Sequence, residues 1–400
     1  MRLNKNKAII LSFIFIALLL VLLRITVWQF ISDDYTFFLS PWYDYFHTHG
    51  IAAFKENFAN YNTPYLFMLY ILSNLPMDKL LGIKLLSISF DIVLAVSVYL
   101  VVKHYKPTGV LPYISVLVCL ITPTILMNSS LWGQCDSIFT SFIVLSFYTL
   151  LKKRFLLVWL FWGIAFAFKL QAVFFLPLLF YIWLVAPRKT LAEYLSPIVV
   201  GLVFILSMLP AILVGRSLSS LISVYVQQTS GGFLTLNAAT LYQWLPNQHF
   251  TVFNHAGVIL TAVVVLGILT LAYHKFGRSI KDADILKLAT LLLFCVTFFL
   301  PQMHERYFYI ADIFSIILFL SVSLRYFFIY LVAQVSSFFS YSIFLFKITP
   351  IIPMQILSLL ELLVIFFLVY VTFLESNSVN KAPIQKIKKL IQKVRAISPL

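Results

Sequence analysis

Three adjacent ionisable residues interrupt an otherwise apolar part of the chain. His304, Glu305 and Arg306 follow a proline in the stretch PQMHERYFYIAD (301–312), with apolar runs on both sides. Charged groups in or near hydrocarbon are costly unless they are paired or hydrated, and no helix cap needs three in a row. A guanidinium beside a carboxylate is well suited to hold a phosphate group, so this triplet is a candidate site.

Two further stretches place carboxylates next to aromatic and amide residues. SDDYTFFLSPWYDYFHTHG (32–50) has Asp33 and Asp34 side by side, and NSSLWGQCDS (128–137) has a glutamine and an aspartate. A carboxylate can take a proton from a hydroxyl group, while cationic side chains stabilise a departing phosphate. These residue types suit direct displacement of a phosphate leaving group from a carbon by a hydroxyl, which would invert that carbon.

The composition indicates which elements must position these residues. The chain is 62% hydrophobic and 11% charged over 400 residues, with a mean hydropathy of +0.97. A soluble domain of this size cannot bury so much apolar surface, whereas a bilayer can accept it. We therefore predict an all-α polytopic membrane protein with a bundle of about twelve transmembrane helices. The predicted spans are 8–31, 82–102, 110–127, 136–151, 155–168, 170–187, 192–213, 257–273, 285–300, 308–324, 327–346 and 352–374.

The basic residues predict how these helices are oriented. When both termini are placed in the cytoplasm, most of the 29 Lys and Arg residues fall on the cytoplasmic side, as the positive-inside rule requires. The net charge of +15 is then a topology signal and does not indicate nucleic-acid binding. Residues 1–375 are predicted to form the transmembrane domain. Residues 376–400 are predicted to form a basic cytoplasmic tail, either amphipathic on anionic lipid or solvated.

The polar stretches all fall on the opposite, outer side. Long outer loops are predicted at 32–81 and 214–256, and the first should contain short interfacial helices. One of these is the apolar stretch 62–76, which is too short to span. Lys169 and Gln171 lie at the tip of another outer turn. Because separate outer turns gather polar residues on one face, we predict a single extracytoplasmic cavity.

Several of these residues also have simpler structural explanations. Trp42, Trp132 and Trp244 would fit an aromatic belt at the membrane interface. Asp136 would fit an N-cap of the helix that follows it, and Lys169 could extend its ammonium group to the interface. These alternatives stay open from the sequence.

The sequence gives only weak indications of a metal or cofactor. His47, His49 and His304 are possible ligands, but no H-x-x-x-H motif or cysteine pair accompanies them. A divalent metal is therefore possible but not expected, and no other cofactor is indicated.

Four motifs in combination resemble one known superfamily. They are D-Y-x-x-F-x-x-P-W from Asp34 to Trp42 with NYNTPY after it, LWGQCDS, FAFKLQAVFFLP and MHERYF. Together they resemble the GT-C superfamily of glycosyltransferases. The chain is most similar to bacterial relatives of the GPI-anchor mannosyltransferases and of the glucosyltransferases of asparagine-linked glycosylation. The resemblance covers most of residues 25–312, and nothing beyond Asp312 is matched.

This resemblance implies a helical bundle that uses a polyprenyl-phosphate sugar as donor and an acidic residue of the first outer loop as base. Asp34 matches that base by position, and the adjacent Asp33 leaves open which carboxylate acts. Donor binding is expected to involve Arg306, His304, Glu305, Lys169, Gln171 and Tyr307. Sugar or acceptor binding is expected to involve Trp42, Asp44, Tyr61, Trp132, Gln134, Asp136 and Trp244.

The sequence thus predicts an inverting hexosyltransferase of the bacterial plasma membrane. Its partners would be the polyprenyl-phosphate sugar, a cell-surface glycan or lipid-linked precursor as acceptor, and the lipid bilayer, with no nucleic acid. The alternatives are a lipid-linked-oligosaccharide flippase or transporter and a non-catalytic scaffold. A transporter should show internal repeats and polar residues near the bilayer midplane, which this sequence does not suggest.

Overall fold

Apolar runs without strand-like alternation fold as helices along the described chain. A computed structural model describes residues 5–187, 190–229 and 231–375. The predicted basic tail, 376–400, lies outside the described residues. The α-helices are α1 (Lys5–Val27), α2 (Ser40–His49), α3 (Thr63–Ser73), α4 (Lys79–Tyr105), α5 (Leu111–Ile121), α6 (Pro123–Leu126), α7 (Asp136–Leu151), α8 (Phe155–Phe168), α9 (Leu176–Val185), α10 (Leu191–Leu195), α11 (Val199–Leu213), α12 (Leu218–Gln228), α13 (Phe250–Phe276), α14 (Asp282–Phe299), α15 (Tyr309–Ser321), α16 (Phe327–Phe346) and α17 (Met354–Val369).

Short irregular helices join several of these elements. π-helical turns occur at Tyr35–Leu39, Met127–Trp132 and Tyr370–Leu374. 3₁₀ turns occur at Gly50–Lys55, Leu170–Phe175, Ser196–Ile198, Leu241–Trp244, Asn247–His249 and Leu324–Tyr326.

Some of these helices are long and apolar enough to cross a membrane. Within the described residues there are five, namely Lys79–Tyr105, Leu191–Leu213, Asn247–Phe276, Leu324–Phe346 and Met354–Leu374. A sixth crossing would come from Leu111–Ile121 and Pro123–Trp132 if this pair, bent by 50°, forms one span. The predicted all-α membrane architecture is confirmed at this level. Each predicted span coincides with one helix or two consecutive helices, but a count of about twelve crossings stays a prediction.

The centre of the molecule is formed by α7, α14 and α15, which are buried on nearly all sides. The predicted first outer loop folds into the short helices α2 and α3, which pack against one another. The hydroxyl of Tyr43 donates to the carbonyl of Leu72 at 3.2 Å, and Phe46 packs against Tyr70 with ring centroids 5.9 Å apart. With only 11 residues, α3 is too short to cross a bilayer.

A buried ion pair fixes α1 against α4. Arg24 Nη1 lies 2.8 Å from Asp91 Oδ2, and it also donates to the hydroxyl of Ser129 at 2.9 Å. Lys84 adds a second link, because its ammonium group donates to the carbonyl of Trp28 at 2.7 Å. The end of α1 is thereby held beside the π-helical turn Met127–Trp132, which fixes the segment that begins with Ser32.

One element was not predicted from the sequence. Strands β1 (Thr235–Leu236) and β2 (Met303–His304) pair in parallel, and Asn237 forms an isolated bridge with His304. The backbone N–H of Gln302 extends this contact by donating to the carbonyl of Leu234 at 2.7 Å. The long predicted outer loop is therefore tied directly to the His304–Arg306 triplet.

Candidate active site

A cavity of about 490 Å³ lies where the connections between helices meet. Its walls come from the turn after α1, the segments before α3 and α7, the break between α8 and α9, the region of the β1–β2 pair, and single faces of α2, α12 and α16. The lining residues are Asp34, Phe38, Leu39, Trp42, Asn60, Tyr61, Gln134, Lys169, Gln171, Gln227, Gln228, Gly231, Leu236, Asn237, His304, Glu305, Arg306, Tyr307 and Phe344. Four of the sequence motifs thus contribute to one concave surface.

The Asp34 carboxylate is held by donors on one side and faces the cavity on the other. Its Oδ2 accepts a hydrogen bond from the indole N–H of Trp132 at 2.8 Å and another from the side-chain amide of Gln134. The hydroxyl of Ser32 donates to the carbonyl of Trp132 at 3.0 Å, which fixes the backbone on either side. No donor from the described residues is hydrogen-bonded to Oδ1, so this oxygen is available to a ligand.

Arg306 lies among three carboxylates without being tightly bound to any of them. Its Nη1 is 3.7 Å from Asp34 Oδ2 and 3.5 Å from Glu305 Oε1. Its Nε is 3.8 Å from Asp136 Oδ2. Burial opposes the charged form of Arg306, but these carboxylates outweigh burial and hold its pKa well above the ordinary value. Charge-assisted hydrogen bonds are normally about 2.7–2.9 Å long, so the guanidinium retains donors for a further anion.

Lys169 is paired more closely than Arg306. Its ammonium group contacts Asp136 Oδ1, and the side-chain amide of Asn128 donates to Asp136 Oδ2 at 2.7 Å. Asp136 is the first residue of α7 and is 1% exposed. The Lys169–Asp136 pair is therefore a buried, nearly neutral unit that also borders Tyr61, whose ring centroid is 5.6 Å from the ammonium nitrogen.

Burial shifts the protonation of two members of the triplet. It raises the pKa of Glu305 to about 7, although Arg306 opposes the shift. It lowers the pKa of His304 to about 3, with help from the positive charges of Arg306 and Lys169. His304 is accordingly neutral near pH 7, whereas Glu305 titrates close to neutrality.

Aromatic and amide groups form the wall next to Asp34. The rings of Trp42 and Tyr61 pack with centroids 5.2 Å apart, and the Tyr61 hydroxyl donates to Gln134 Oε1 at 2.9 Å. Burial raises the pKa of Tyr61, so the phenol stays protonated. A wall of this kind can bind both the apolar faces and the hydroxyls of a small ligand.

The structure does not bring every predicted site residue to the cavity. Asp33 pairs with Lys347 at 2.5 Å, and Asp44 pairs with Lys79 at 2.7 Å. The Asp33 side chain is 49% exposed and the Asp44 side chain is 61% exposed, and neither lines the cavity. Trp244, at the end of a 3₁₀ turn, is 52% exposed and is also absent from the cavity wall.

Two other predicted sugar contacts are placed behind the wall. Trp132 is fully buried, with Phe344 stacked on its ring at 4.6 Å and the Arg306 guanidinium 5.2 Å from its centroid. No ring face is left for a sugar, so Trp132 positions Asp34 instead. Asp136 is likewise enclosed, because Lys169 and Asn128 occupy its two oxygens. It does not line the cavity, so the predicted contact between Asp136 and sugar hydroxyls is not formed in this structure.

Sequence reasoning missed several residues of the wall. Asn60 lies in the NYNTPY motif, and Gln228 and Asn237 lie in the predicted outer loop 214–256, but no feature of the sequence distinguishes them from their neighbours. Phe344 lies in α16, beyond the region in which any motif was matched. Lys347 is the partner of Asp33, and its position as an isolated charge in an apolar region was the one available signal.

The histidines considered as metal ligands are used otherwise. His47 Nδ1 is 2.9 Å from the carbonyl of Ser73, and His49 Nδ1 is 3.0 Å from the carbonyl of Tyr45. Among the residues that the structure describes, no three His, Cys, Asp or Glu side chains are grouped as metal ligands.

The fold and the spans define an α-helical membrane protein with a charged cavity among its helix connections. No protein-family model matches the chain, and no curated protein is significantly similar to it in sequence. The resemblance to GT-C glycosyltransferases therefore stays a prediction based on the motifs.

Proposed function

We propose that this protein is an inverting glycosyltransferase that moves a sugar from a polyprenyl-phosphate donor to a hydroxyl of a glycan acceptor. The observation that carries the proposal is the pairing of a supported carboxylate with an incompletely bound guanidinium in one cavity. Asp34 is positioned by Trp132 and Gln134, and Arg306 lies 3.7 Å from it. A base and a phosphate-binding cation are the two groups that this chemistry requires.

The reaction needs no covalent intermediate. The acceptor oxygen attacks the anomeric carbon while the bond from that carbon to the phosphate oxygen breaks. The proton of the acceptor hydroxyl passes to Asp34, and polyprenyl phosphate leaves with the bonding electrons. Arg306 stabilises the charge on the leaving phosphate, and neutral His304 donates a hydrogen bond to it. Displacement from the opposite face inverts the anomeric configuration.

The other predicted donor residues act around this centre. Glu305 contacts Arg306 at 3.5 Å and orients it, while Lys169 keeps the cavity wall in place through its pair with Asp136. Gln171 and Tyr307 line the cavity beside His304. Trp42, Tyr61 and Gln134 form the sugar-binding wall.

The membrane arrangement belongs to the same proposal. A GT-C-like bundle of about twelve spans with cytoplasmic termini would put the cavity at the extracytoplasmic face of a bacterial plasma membrane. There the polyprenyl chain of the donor stays in lipid while its phosphate reaches Arg306. The sugar would be a hexose, and the acceptor a cell-surface glycan or its lipid-linked precursor.

The test is sugar transfer by purified protein supplied with radiolabelled polyprenyl-phosphate glucose, galactose or mannose and membrane-lipid acceptors. Asp34→Asn should lower turnover about 10²-fold or more, because the amide cannot take the proton. Asp33→Asn is the matched control, since Asp33 pairs with Lys347 outside the cavity, and it should retain turnover. Full turnover in Asp34→Asn would refute the assignment of the base.

The same assay separates an enzyme from a flippase. A flippase moves an intact lipid-linked glycan across the bilayer. Purified protein reconstituted in sealed vesicles would then move the donor without releasing polyprenyl phosphate. Release of polyprenyl phosphate together with a glycosylated product supports transfer. Movement of the intact donor without release would support the transporter alternative instead.

A further inference from the structure

A second cavity of about 300 Å³ adjoins the candidate active site. Gln171, Gln228 and Tyr307 line both cavities, so the two spaces share a wall. The second cavity extends from this wall towards α13 and the segment before β2. Its volume is at the lower end of the range for small-molecule sites.

The polar lining of the second cavity differs from that of the first in charge. No Asp, Glu, Lys or Arg is among the described residues that line it. Its polar side chains are amides and hydroxyls, namely Gln171, Gln228, Thr229, Asn254, Gln302 and Tyr307. A phosphate would find no counter-charge here, whereas a neutral molecule with several hydroxyls would find both donors and acceptors.

Two amide side chains at this cavity have oxygens that accept no hydrogen bond from a described protein group. Gln228 donates through Nε2 to the carbonyl of Asn60 at 2.7 Å, and Gln302 donates through Nε2 to Asn254 Oδ1 at 3.0 Å. These bonds fix both amides, yet Oε1 of Gln228 and Oε1 of Gln302 are buried and accept no hydrogen bond from the described residues. A buried acceptor left unsatisfied costs about 1–3 kcal/mol, so a side-chain movement that turned either oxygen towards a ligand hydroxyl would be favourable.

The backbone at Gln302 gives an independent reason to regard this site as built for a ligand. Gln302 has φ +62°, a left-handed conformation that residues with a Cβ rarely adopt. Glycine would relieve this strain, but glycine has no amide to place in the cavity. Strained non-glycine residues of this kind are concentrated at binding sites.

We infer that the second cavity binds the acceptor, and that the acceptor group it holds is a neutral hydroxylated ring, a carbohydrate. The role as acceptor site rests on the proposed glycosyl transfer. The amides bind ring hydroxyls, and Phe174, Val258 and Met303 offer apolar surface to the C–H faces of the ring. To react, the same molecule would extend past Gln171 and Gln228 into the first cavity, where Asp34 lies.

Direct binding tests the site without any turnover. The probes are methyl glycosides of glucose, galactose and mannose, observed by saturation-transfer NMR with purified full-length protein in a detergent without sugar groups. Gln302→Gly and Asn254→Ala should each weaken binding of the best probe about fivefold, the effect of one lost hydrogen bond. Gln302→Gly adds no backbone strain, because glycine readily adopts positive φ. Asn254→Ala lies in α13, so the two variants test the site from different elements. Gln248→Ala removes an exposed amide from the 3₁₀ turn Asn247–His249, which precedes α13 and does not line the cavity. This variant should leave binding unchanged.

Transfer kinetics then separate this inference from the proposed function. If both are correct, Gln302→Gly and Asn254→Ala raise the acceptor KM about fivefold and leave the donor KM unchanged. Binding that is absent, or that ignores both substitutions, overturns the second site even when transfer is observed. Binding that depends on both residues in a protein that never consumes donor supports a sugar site and refutes the proposed transferase activity.

Discussion

Arg306 faces Asp34, Glu305 and Asp136 at distances of 3.5–3.8 Å, and this spacing decides what the cavity can bind. Asp136 is already neutralised by Lys169, so two carboxylates remain for one guanidinium. A phosphate group would add negative charge to this cluster, so removal of one carboxylate charge would favour its binding. Protonation of Glu305 removes one charge, and the raised pKa of this side chain, about 7, makes protonation accessible near neutral pH.

Glu305 should therefore make the stability of the protein depend on pH. Burial raises its pKa from 4.5 to about 7 in the folded protein, so the folded state binds more protons than the unfolded state between these values. The free energy of unfolding then falls as the pH rises through this window, by up to about 3 kcal/mol. Glu305→Gln removes this contribution, because glutamine does not titrate. The groups that face Glu305, namely Arg306, Asp34 and Asp136, are unchanged in the variant.

The measurement is the apparent Tm of both proteins in detergent at pH 5 and pH 8. At pH 5 the two proteins should unfold at similar temperatures, since Glu305 is then mostly protonated. At pH 8 Glu305→Gln should be the more stable protein. An equal difference in Tm at both pH values would contradict a titrating, buried Glu305.

The sequence indicated which residue types gather at the site, but it could not indicate the partner of each. Lys169 and Asp136 were expected to contact different parts of the substrate, and they bind one another instead. Trp132 was expected to present a ring face, and Phe344 and Arg306 cover it. These choices depend on contacts between residues far apart in the chain, for which one sequence carries no local signal.

At the scale of elements, the candidate site residues lie on irregular backbone, and regular helices pack around that backbone and fix its position. Asp34 is the N-cap of a π-helical turn, and the triplet begins in a two-residue strand. Asn237, which lines the cavity, and Lys347, which pairs with Asp33, have positive φ of 56° and 55°. Apolar runs predicted the helices because hydrophobicity is a local property of the sequence. The strand pair was missed because it depends on hydrogen bonds between residues more than 60 positions apart.

Close packing of α13 against the long loop should depend on Gly257. A Cβ at this position would overlap the hydroxyl of Tyr242 and would lie 3.2 Å from Cδ of Pro301. Tyr242 cannot easily move, because it is buried and its hydroxyl donates to the carbonyl of Phe299 at 2.5 Å. Gly257→Ala should therefore lower the free energy of unfolding by about 1–3 kcal/mol, the usual cost of overpacking.

The matched control for this prediction is Gly267→Ala in the same helix. A Cβ at Gly267 meets no atom within 4 Å, and alanine is the better helix former. Thermal unfolding should place Gly267→Ala at or slightly above the wild-type Tm and Gly257→Ala several degrees below it. If both variants unfold with the wild type, α13 does not pack on Tyr242 as described.

At the scale of the whole molecule, α4 runs from the first loop, near the cavity, to the opposite end of the helical bundle. Its first residue, Lys79, binds Asp44 of the first loop at 2.7 Å, close to the elements that form the cavity. Its last residue is Tyr105, so its 27 residues extend about 40 Å. This length exceeds the hydrocarbon core of a bilayer, about 30 Å. The loop around Asp44 and the loop after Tyr105 should therefore lie on opposite sides of the membrane.

Cysteine labelling can test this arrangement with little background, because the native cysteines Cys119, Cys135 and Cys295 are all buried. Thr48 is exposed in α2, one helical turn after Asp44, and Thr108 is exposed in the loop after α4. A membrane-impermeant maleimide added to intact spheroplasts should label Thr48→Cys, and it should label Thr108→Cys only after the membrane is permeabilised. The reverse pattern would put the cavity in the cytoplasm, where a donor that displays its sugar outside could not reach Asp34. Labelling of both positions from the same side would mean that α4 does not cross the bilayer.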